Sequence, residues 1–171
     1  IAYYIVAGSC AFAVMVPAIF AVGCSLAVER TAGLHRLKRA QPAPTGAYTL
    51  DKSHASLIVR VSHIGYSNFT ARFETWDATL TFDPAAPEYS QITVTIDPRS
   101  INSDNAPAGF VDVMRNDFLQ APAHPEITFR STAIEPTGPN TARITGDLML
   151  LGVTKPVTLE ARFNGGYEGM P

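Results

Sequence analysis

Histidines and carboxylates are the side chains of this sequence with types suited to acid–base or metal chemistry. His54 follows Asp51 at turn-like spacing, and His63 ends a segment whose alternate residues are apolar. His35 lies in a basic stretch, and His124 lies in a predicted loop. No two histidines have the spacing of a zinc site with carboxylates nearby, so we expect no metal.

Nucleophilic chemistry has no support in the sequence. There is no Gly-x-Ser-x-Gly segment and no phosphate-binding loop. Both cysteines, Cys10 and Cys24, precede residue 29. Asp112 and Asp117 fall on a predicted helix, where a solvated face accounts for them. We therefore expect no enzymatic activity and no cofactor.

Hydrophobicity is distributed unevenly along the 171 residues, whose net charge is −2. Residues 1–28 carry no charged side chain and are long enough to cross a bilayer. We predict a signal peptide or a membrane anchor there, with Cys24 as a candidate acylation site. The mild acidity argues against a nucleic-acid partner.

Residues 29–46 form a basic linker rich in proline and alanine. Positive charge next to an apolar span favours a cytoplasmic location for that flank, which conflicts with simple export of the domain after the linker. The domain begins near Ala47 and contains nine basic and fourteen acidic side chains. This balance suits a periplasmic body.

From residue 47 onward, apolar and polar residues alternate, which is typical of strands with one dry and one wet face. Ile92, Val94 and Ile96, for example, alternate with Thr93 and Thr95. The pattern predicts about seven strands, at 47–51, 55–63, 69–82, 91–97, 126–135, 141–151 and 156–163, of which the strand at 69–82 is expected to be long and bent. The spacing of apolar residues in 106–120 predicts one short helix. The expected fold class is all-β, as an antiparallel sandwich or barrel.

Four segments in order resemble a known family: YTLDKSHASLIVRVSHIGYSNFTARFETWDATLTFDP, ITVTIDPRSINSDN, DFLQAPAHPEITFRST and ITGDLMLLGVTKPVTLEARFNGG. Together they look like the YceI-like family of lipid- or polyisoprenoid-binding periplasmic proteins, from about residue 47 to residue 166. The resemblance implies an extended antiparallel lipocalin-like β-barrel with an apolar channel. Residues 47–171 would then be a lipid-binding barrel domain, truncated at its C-terminus.

Two departures from the family pattern bear on the site. Leu151 stands where members resembling this chain have histidine, so a role for that imidazole does not carry over. The family also continues with further strands past the double glycine at 165–166, whereas this chain ends at residue 171.

An inward-facing dry side would line a channel that holds an extended isoprenoid or another amphiphilic lipid, with the membrane as a partner through residues 1–28 and a homodimer also considered. His63 would receive the head group at the mouth, with Arg60 or Arg72 nearby. The predicted lining comprises Leu57, Val59, Val61, His63, Phe73, Leu80, Phe82, Val94, Phe129, Leu148, Leu159 and Phe163.

Three alternatives stay open from the sequence. The dry face is equally compatible with a filled core that holds no ligand. Some relatives are attached to membrane cytochrome b segments, so the chain is alternatively a binding module associated with electron transfer. A lipid-modifying enzyme is the third alternative.

Overall fold

The computed structural model describes residues 4–7, 10–15, 20–24 and 45–166. In these ranges the chain is mostly β-strand, with one short helix, α1, at Phe110–Val113 that continues as a π-helical turn over Met114–Phe118. The strands are β1 (Tyr4–Ala7), β2 (Cys10–Met15), β3 (Phe20–Cys24), β4 (Gly46–Thr49), β5 (Ala55–His63), β6 (Ser67–Phe73), β7 (Trp76–Phe82), β8 (Gln91–Ile96), β9 (Ile101–Asn102), β10 (Ile127–Gly138), β11 (Thr141–Leu150) and β12 (Val153–Gly166).

The strands form two antiparallel sheets. The large sheet has the order β1-β2-β12-β11-β10-β8-β7-β4, and the small sheet has the order β3-β5-β6-β9. Within the described residues the edge strands of the two sheets do not pair, so the sheets are not closed into one continuous barrel. The all-β antiparallel prediction is confirmed, as is the single short helix.

The segment 69–82, predicted as one long and bent strand, forms two separate strands. The chain leaves the small sheet at Phe73 and enters the large sheet at Trp76. The two residues between them bond to a different segment, since the Glu74 amide donates to the Ser100 carbonyl at 3.1 Å and the Asp97 amide donates to the Thr75 carbonyl at 3.0 Å. These bonds satisfy the backbone at the corner where the chain changes sheets.

The core lies between the inner faces of the sheets. Strand β7 is the clearest case, because its residues are alternately buried and exposed from Trp76 to Phe82. Phe110 of α1 packs against this core, and Met114 is buried in it. The Phe129 ring of β10 lies directly over Gly146 of β11, the position where a larger residue would project a side chain.

The apolar N-terminal region contributes β1, β2 and β3, of which β2 pairs with β12 and β3 pairs with β5. No described helix has the length and hydropathy required to cross a membrane. Residues 25–44, which include most of the predicted basic linker at 29–46, and the C-terminal residues 167–171 lie outside the described residues. The signal-peptide and anchor interpretations therefore stay predictions.

Candidate functional site

A cavity of about 410 Å³ opens at the end of the large sheet where β7 finishes and the β10–β11 turn begins. Its apolar floor contains Phe82, Ala161 and Phe163, and the Phe82 and Phe163 ring centroids are 5.8 Å apart. Prolines from two turns form much of its rim, together with Asn140 and Asn164. None of the described lining residues carries a charge. We call this the uncharged cavity.

A second cavity, of about 360 Å³, lies at the opposite end of β7. Its apolar surface includes Leu57, Phe73 and Trp76, and its rim includes Lys52, Arg72 and Glu74, so we call it the charged-rim cavity. Volumes of this order are typical of small-molecule sites.

The cations of the charged-rim cavity are already paired with carboxylates. Lys52 Nζ lies 2.9 Å from Asp77 Oδ2, and Arg72 Nη1 donates to Asp104 Oδ2 at 2.8 Å. Asn102 Nδ2 donates to Glu74 Oε1 at 2.8 Å, and this bond is the main reason that the pKa of Glu74 is lowered. The rim therefore offers hydrogen-bonding groups without a surplus of positive charge.

The inner face of β7 lies between the two cavities. Trp76 lines the charged-rim cavity, Phe82 lines the uncharged cavity, and the buried Ala78 and Leu80 lie between them. A strand rises about 3.3 Å per residue, so the two ends of this apolar face are about 20 Å apart. The fold thus places an elongated apolar surface between two openings.

Most of the predicted channel residues come together in this interior. Seven are buried in one core, and three more are half-buried against it. The buried set is Leu57, Val59, Phe73, Leu80, Phe82, Val94 and Phe129; the half-buried set is Leu148, Leu159 and Phe163.

The other two predicted residues lie outside the interior. Val61 is 49% exposed, and His63 is exposed at the end of β5. Arg72 pairs with Ile58, five residues from His63 along β5, which corresponds to about 17 Å. The structure therefore does not bring His63 and Arg72 together as one head-group site.

The β4–β5 turn contains a compact polar cluster next to the charged-rim cavity. Ser53 donates to Asp51 Oδ1 from its hydroxyl at 2.6 Å and from its backbone amide at 2.9 Å. His54 Nδ1 lies 2.7 Å from Asp51 Oδ2. The hydrogen bonds from Ser53 and then from His54 lower the pKa of Asp51 from 3.8 to about 2. This arrangement is a side-chain-stabilised turn, in which the Asp51 carboxylate accepts hydrogen bonds from the residue two positions later.

Asp51→Asn should remove an acid-sensitive part of the stability. A carboxylate whose pKa is lowered by folding stabilises the folded state above its unfolded pKa and loses that contribution as the pH falls through its folded value. The difference in free energy of unfolding between wild type and Asp51→Asn should therefore shrink between about pH 4 and about pH 2. Urea denaturation across this range measures it, and a difference that stays constant would contradict the assignment.

Sequence reasoning missed the rim of the uncharged cavity. In the sequence, Pro84 and Pro136 indicate only turns, yet both line this opening. The signal that could have found them is topological: β10 pairs antiparallel with β8, so the β7–β8 and β10–β11 connections meet at the same end of the sheet. Within the described residues, no group of three or more histidine, cysteine, aspartate or glutamate side chains is placed to hold a metal ion.

Comparison with known proteins shows which family has a similar sequence. Residues 48–170 match the family model described as YceI-like domain. The chain belongs to the YceI-like family. A UPF0312 protein of Pseudomonas savastanoi is 41% identical over 131 residues, covering 75% of this chain and 68% of the relative. A Pseudomonas putida UPF0312 protein is 42% identical over the same length.

Two solved structures are similar to this chain in fold as well. Burkholderia cenocepacia BcnA is 31% identical with a TM-score of 0.55, covering 61% of this chain and 65% of that protein. The Campylobacter jejuni YceI protein is 32% identical with a TM-score of 0.55, and the similarity covers 71% of each chain. The chain thus spans about two thirds of the length of several of these relatives.

Proposed function

We propose that this YceI-like protein binds and carries an isoprenoid or another amphiphilic lipid chain in the periplasm, without catalysing a reaction. The observation that supports this most directly is the buried face of β7, which runs between two cavities at opposite ends of the strand. An elongated apolar ligand matches this arrangement better than a compact one. The N-terminal segment would keep the carrier at the membrane.

Desolvation would supply the affinity. Each methylene-sized group of the tail removed from water contributes about 0.8 kcal/mol. Aromatic rings at both ends, Trp76 at one and Phe82 with Phe163 at the other, offer flat apolar surface to such a chain.

The described linings favour an uncharged head group. The uncharged cavity offers amides and a hydroxyl, from Asn140, Asn164 and Thr141. In the charged-rim cavity, Lys52 and Arg72 already have carboxylate partners, so a phosphate would compete with those carboxylates. We therefore expect an isoprenoid alcohol to bind more tightly than its phosphate ester.

Ala161→Trp should block the proposed site. Ala161 is buried in the floor of the uncharged cavity, and an indole at this position would occupy the space that a ligand needs. We expect the amount of lipid that copurifies with the full chain, measured by solvent extraction and mass spectrometry, to fall about tenfold, equivalent to about 1.4 kcal/mol of binding free energy.

Ala133→Trp is the matched control, because Ala133 is exposed on β10 and does not line either cavity. This variant should keep the wild-type lipid content. A wild-type protein that copurifies with no lipid and takes up no isoprenoid in vitro would refute the proposed function. Equal lipid content in the two tryptophan variants would place the ligand elsewhere.

A further inference from the structure

An exposed apolar surface lies at the end of the β5–β6 hairpin and on the adjoining helical segment. Ile64 is 76% exposed and Tyr66 is 92% exposed at the hairpin turn, and Phe118 is 60% exposed. We call this surface the tip patch; it consists of the exposed Val61, Ile64, Tyr66 and Phe118 and the half-buried Phe69 and Phe110.

Ring contacts make the tip patch continuous. Val61 pairs across the hairpin with Phe69. The Phe69 and Phe110 ring centroids are 5.3 Å apart at 78°, and the Phe110 and Phe118 centroids are 6.3 Å apart at 80°, both edge-to-face arrangements. The hairpin and the helical segment therefore present one surface.

The backbone of Ile64 at the hairpin turn is strained, and its side chain is too exposed to offset the strain by burial in this fold. Ile64 has φ 56° and is followed by Gly65 with φ 77°, and the Tyr66 amide donates to the His63 carbonyl at 3.1 Å. Tight turns of this kind favour asparagine before glycine, whereas a β-branched residue with positive φ is an outlier. Ile64 buries little surface in exchange, so its side chain points to a role outside the folding of this chain.

Charge is absent from the hairpin half of the patch, whereas the helical segment that carries Phe110 and Phe118 also contains Asp112, Arg115 and Asp117. Residues 61–71 and 105–111 contain no aspartate, glutamate, lysine or arginine. A charged side chain is costly in the acyl region of a bilayer, and tyrosine favours the level of the head groups. The hairpin end of the patch, with Ile64 and Tyr66 and no charged side chain, is thus complementary to the boundary between head groups and acyl chains.

The patch also continues the apolar interior. Leu57, Val59 and Val61 share one face of β5, and their exposure rises from 1% to 7% to 49% toward the hairpin turn. The dry face of the strand therefore passes from the core to the surface without a polar interruption before His63.

We propose that the tip patch inserts into the surface of a lipid bilayer and that a lipid tail moves between bilayer and interior at this place. The transfer step rests on the proposed function, whereas bilayer contact does not. Residues 61–71 contain no cationic side chain that would attract anionic lipid. The contact is therefore expected with a bilayer of uncharged lipid.

Quenching by brominated lipid tests the contact at one position. Tyr66→Trp in the full chain should show emission that shifts to the blue and is quenched by vesicles of brominated phosphatidylcholine. Tyr89→Trp is the matched control, because Tyr89 is 78% exposed but lies outside the patch. Any attachment through the N-terminal segment is common to both variants, and the native Trp76 is buried and gives the same background in both. Equal, unquenched emission from the two variants would overturn the proposal.

Ile64→Asn then separates membrane contact from folding. Asparagine favours the left-handed region, so the variant should be at least as stable as wild type toward urea. In the Tyr66→Trp background it should reduce quenching several-fold at the same vesicle concentration. Undiminished quenching, or a change of oligomeric state in place of a change in quenching, would overturn the proposal.

The lipid content of Ile64→Asn distinguishes the two proposals. If both are correct, isoprenoid supplied in detergent should still bind, while uptake from vesicles should slow. If no isoprenoid binds to any form of the protein but quenching still depends on Ile64, the proposed function fails and the bilayer contact stands.

Discussion

Gly146→Ala should destabilise this protein by about 3 kcal/mol, at the upper end of the usual cost of overpacking a core. A Cβ atom at Gly146 would stand 2.5 Å from Cζ and 2.6 Å from Cε2 of Phe129, and 2.5 Å from the Arg130 carbonyl oxygen. Phe129 is 5% exposed and has little freedom to move away, and the carbonyl belongs to the neighbouring strand. The midpoint of urea denaturation should fall by about 1–2 M.

Gly46→Ala is the matched control for this prediction. No heavy atom lies within 4 Å of a Cβ built at Gly46, so this variant should stay within about 0.5 kcal/mol of wild type. If Gly146→Ala proved equally harmless, the ring of Phe129 would not lie over β11 as described.

Leu57→Ala should produce the second large effect, a loss of about 2–5 kcal/mol of unfolding free energy. Leu57 is 1% exposed in the core and also borders the charged-rim cavity. Truncation removes apolar contacts and leaves a void that the two facing sheets fill only in part. Urea denaturation of the extracted, lipid-free protein measures the loss without a contribution from bound ligand.

Val61→Ala on the same face of the same strand provides the comparison. Val61 is 49% exposed, so its truncation should cost less than about 1 kcal/mol. Similar losses for the two variants would mean that the interior is not packed around Leu57.

The sequence predicted the strands best where alternation is unbroken. Strand β5 has the predicted bounds, 55–63, because apolar residues recur at every second position along it. Within 69–82 the sequence predicted a bend but not the change of sheet at Glu74 and Thr75, because neither residue is a glycine or proline and the alternation resumes after them. Hydrogen bonds to Asp97 and Ser100 create this corner, and a local pattern does not reveal them.

The interior was predictable from parity, whereas its openings were not. Parity placed Val61 with Leu57, but whether a residue is covered depends on how far the opposing elements extend, which is a tertiary property. The rim prolines lie at turns, where the alternation of apolar and polar residues gives no information. They meet at one opening because β8 pairs with β10. The carboxylate partner of Arg72 at Asp104 likewise comes from a distant segment.

The succession β10, β11 and β12 has a consequence for the order of folding. These three strands are consecutive in the chain and joined by tight turns, so their pairing closes only short loops. Pairing of β8 with β10 closes a longer loop, residues 97–126, which includes α1. Closing this loop costs more chain entropy before any contact forms. We therefore expect the C-terminal meander to nucleate the large sheet, with the segment that carries the helix settling onto it afterwards.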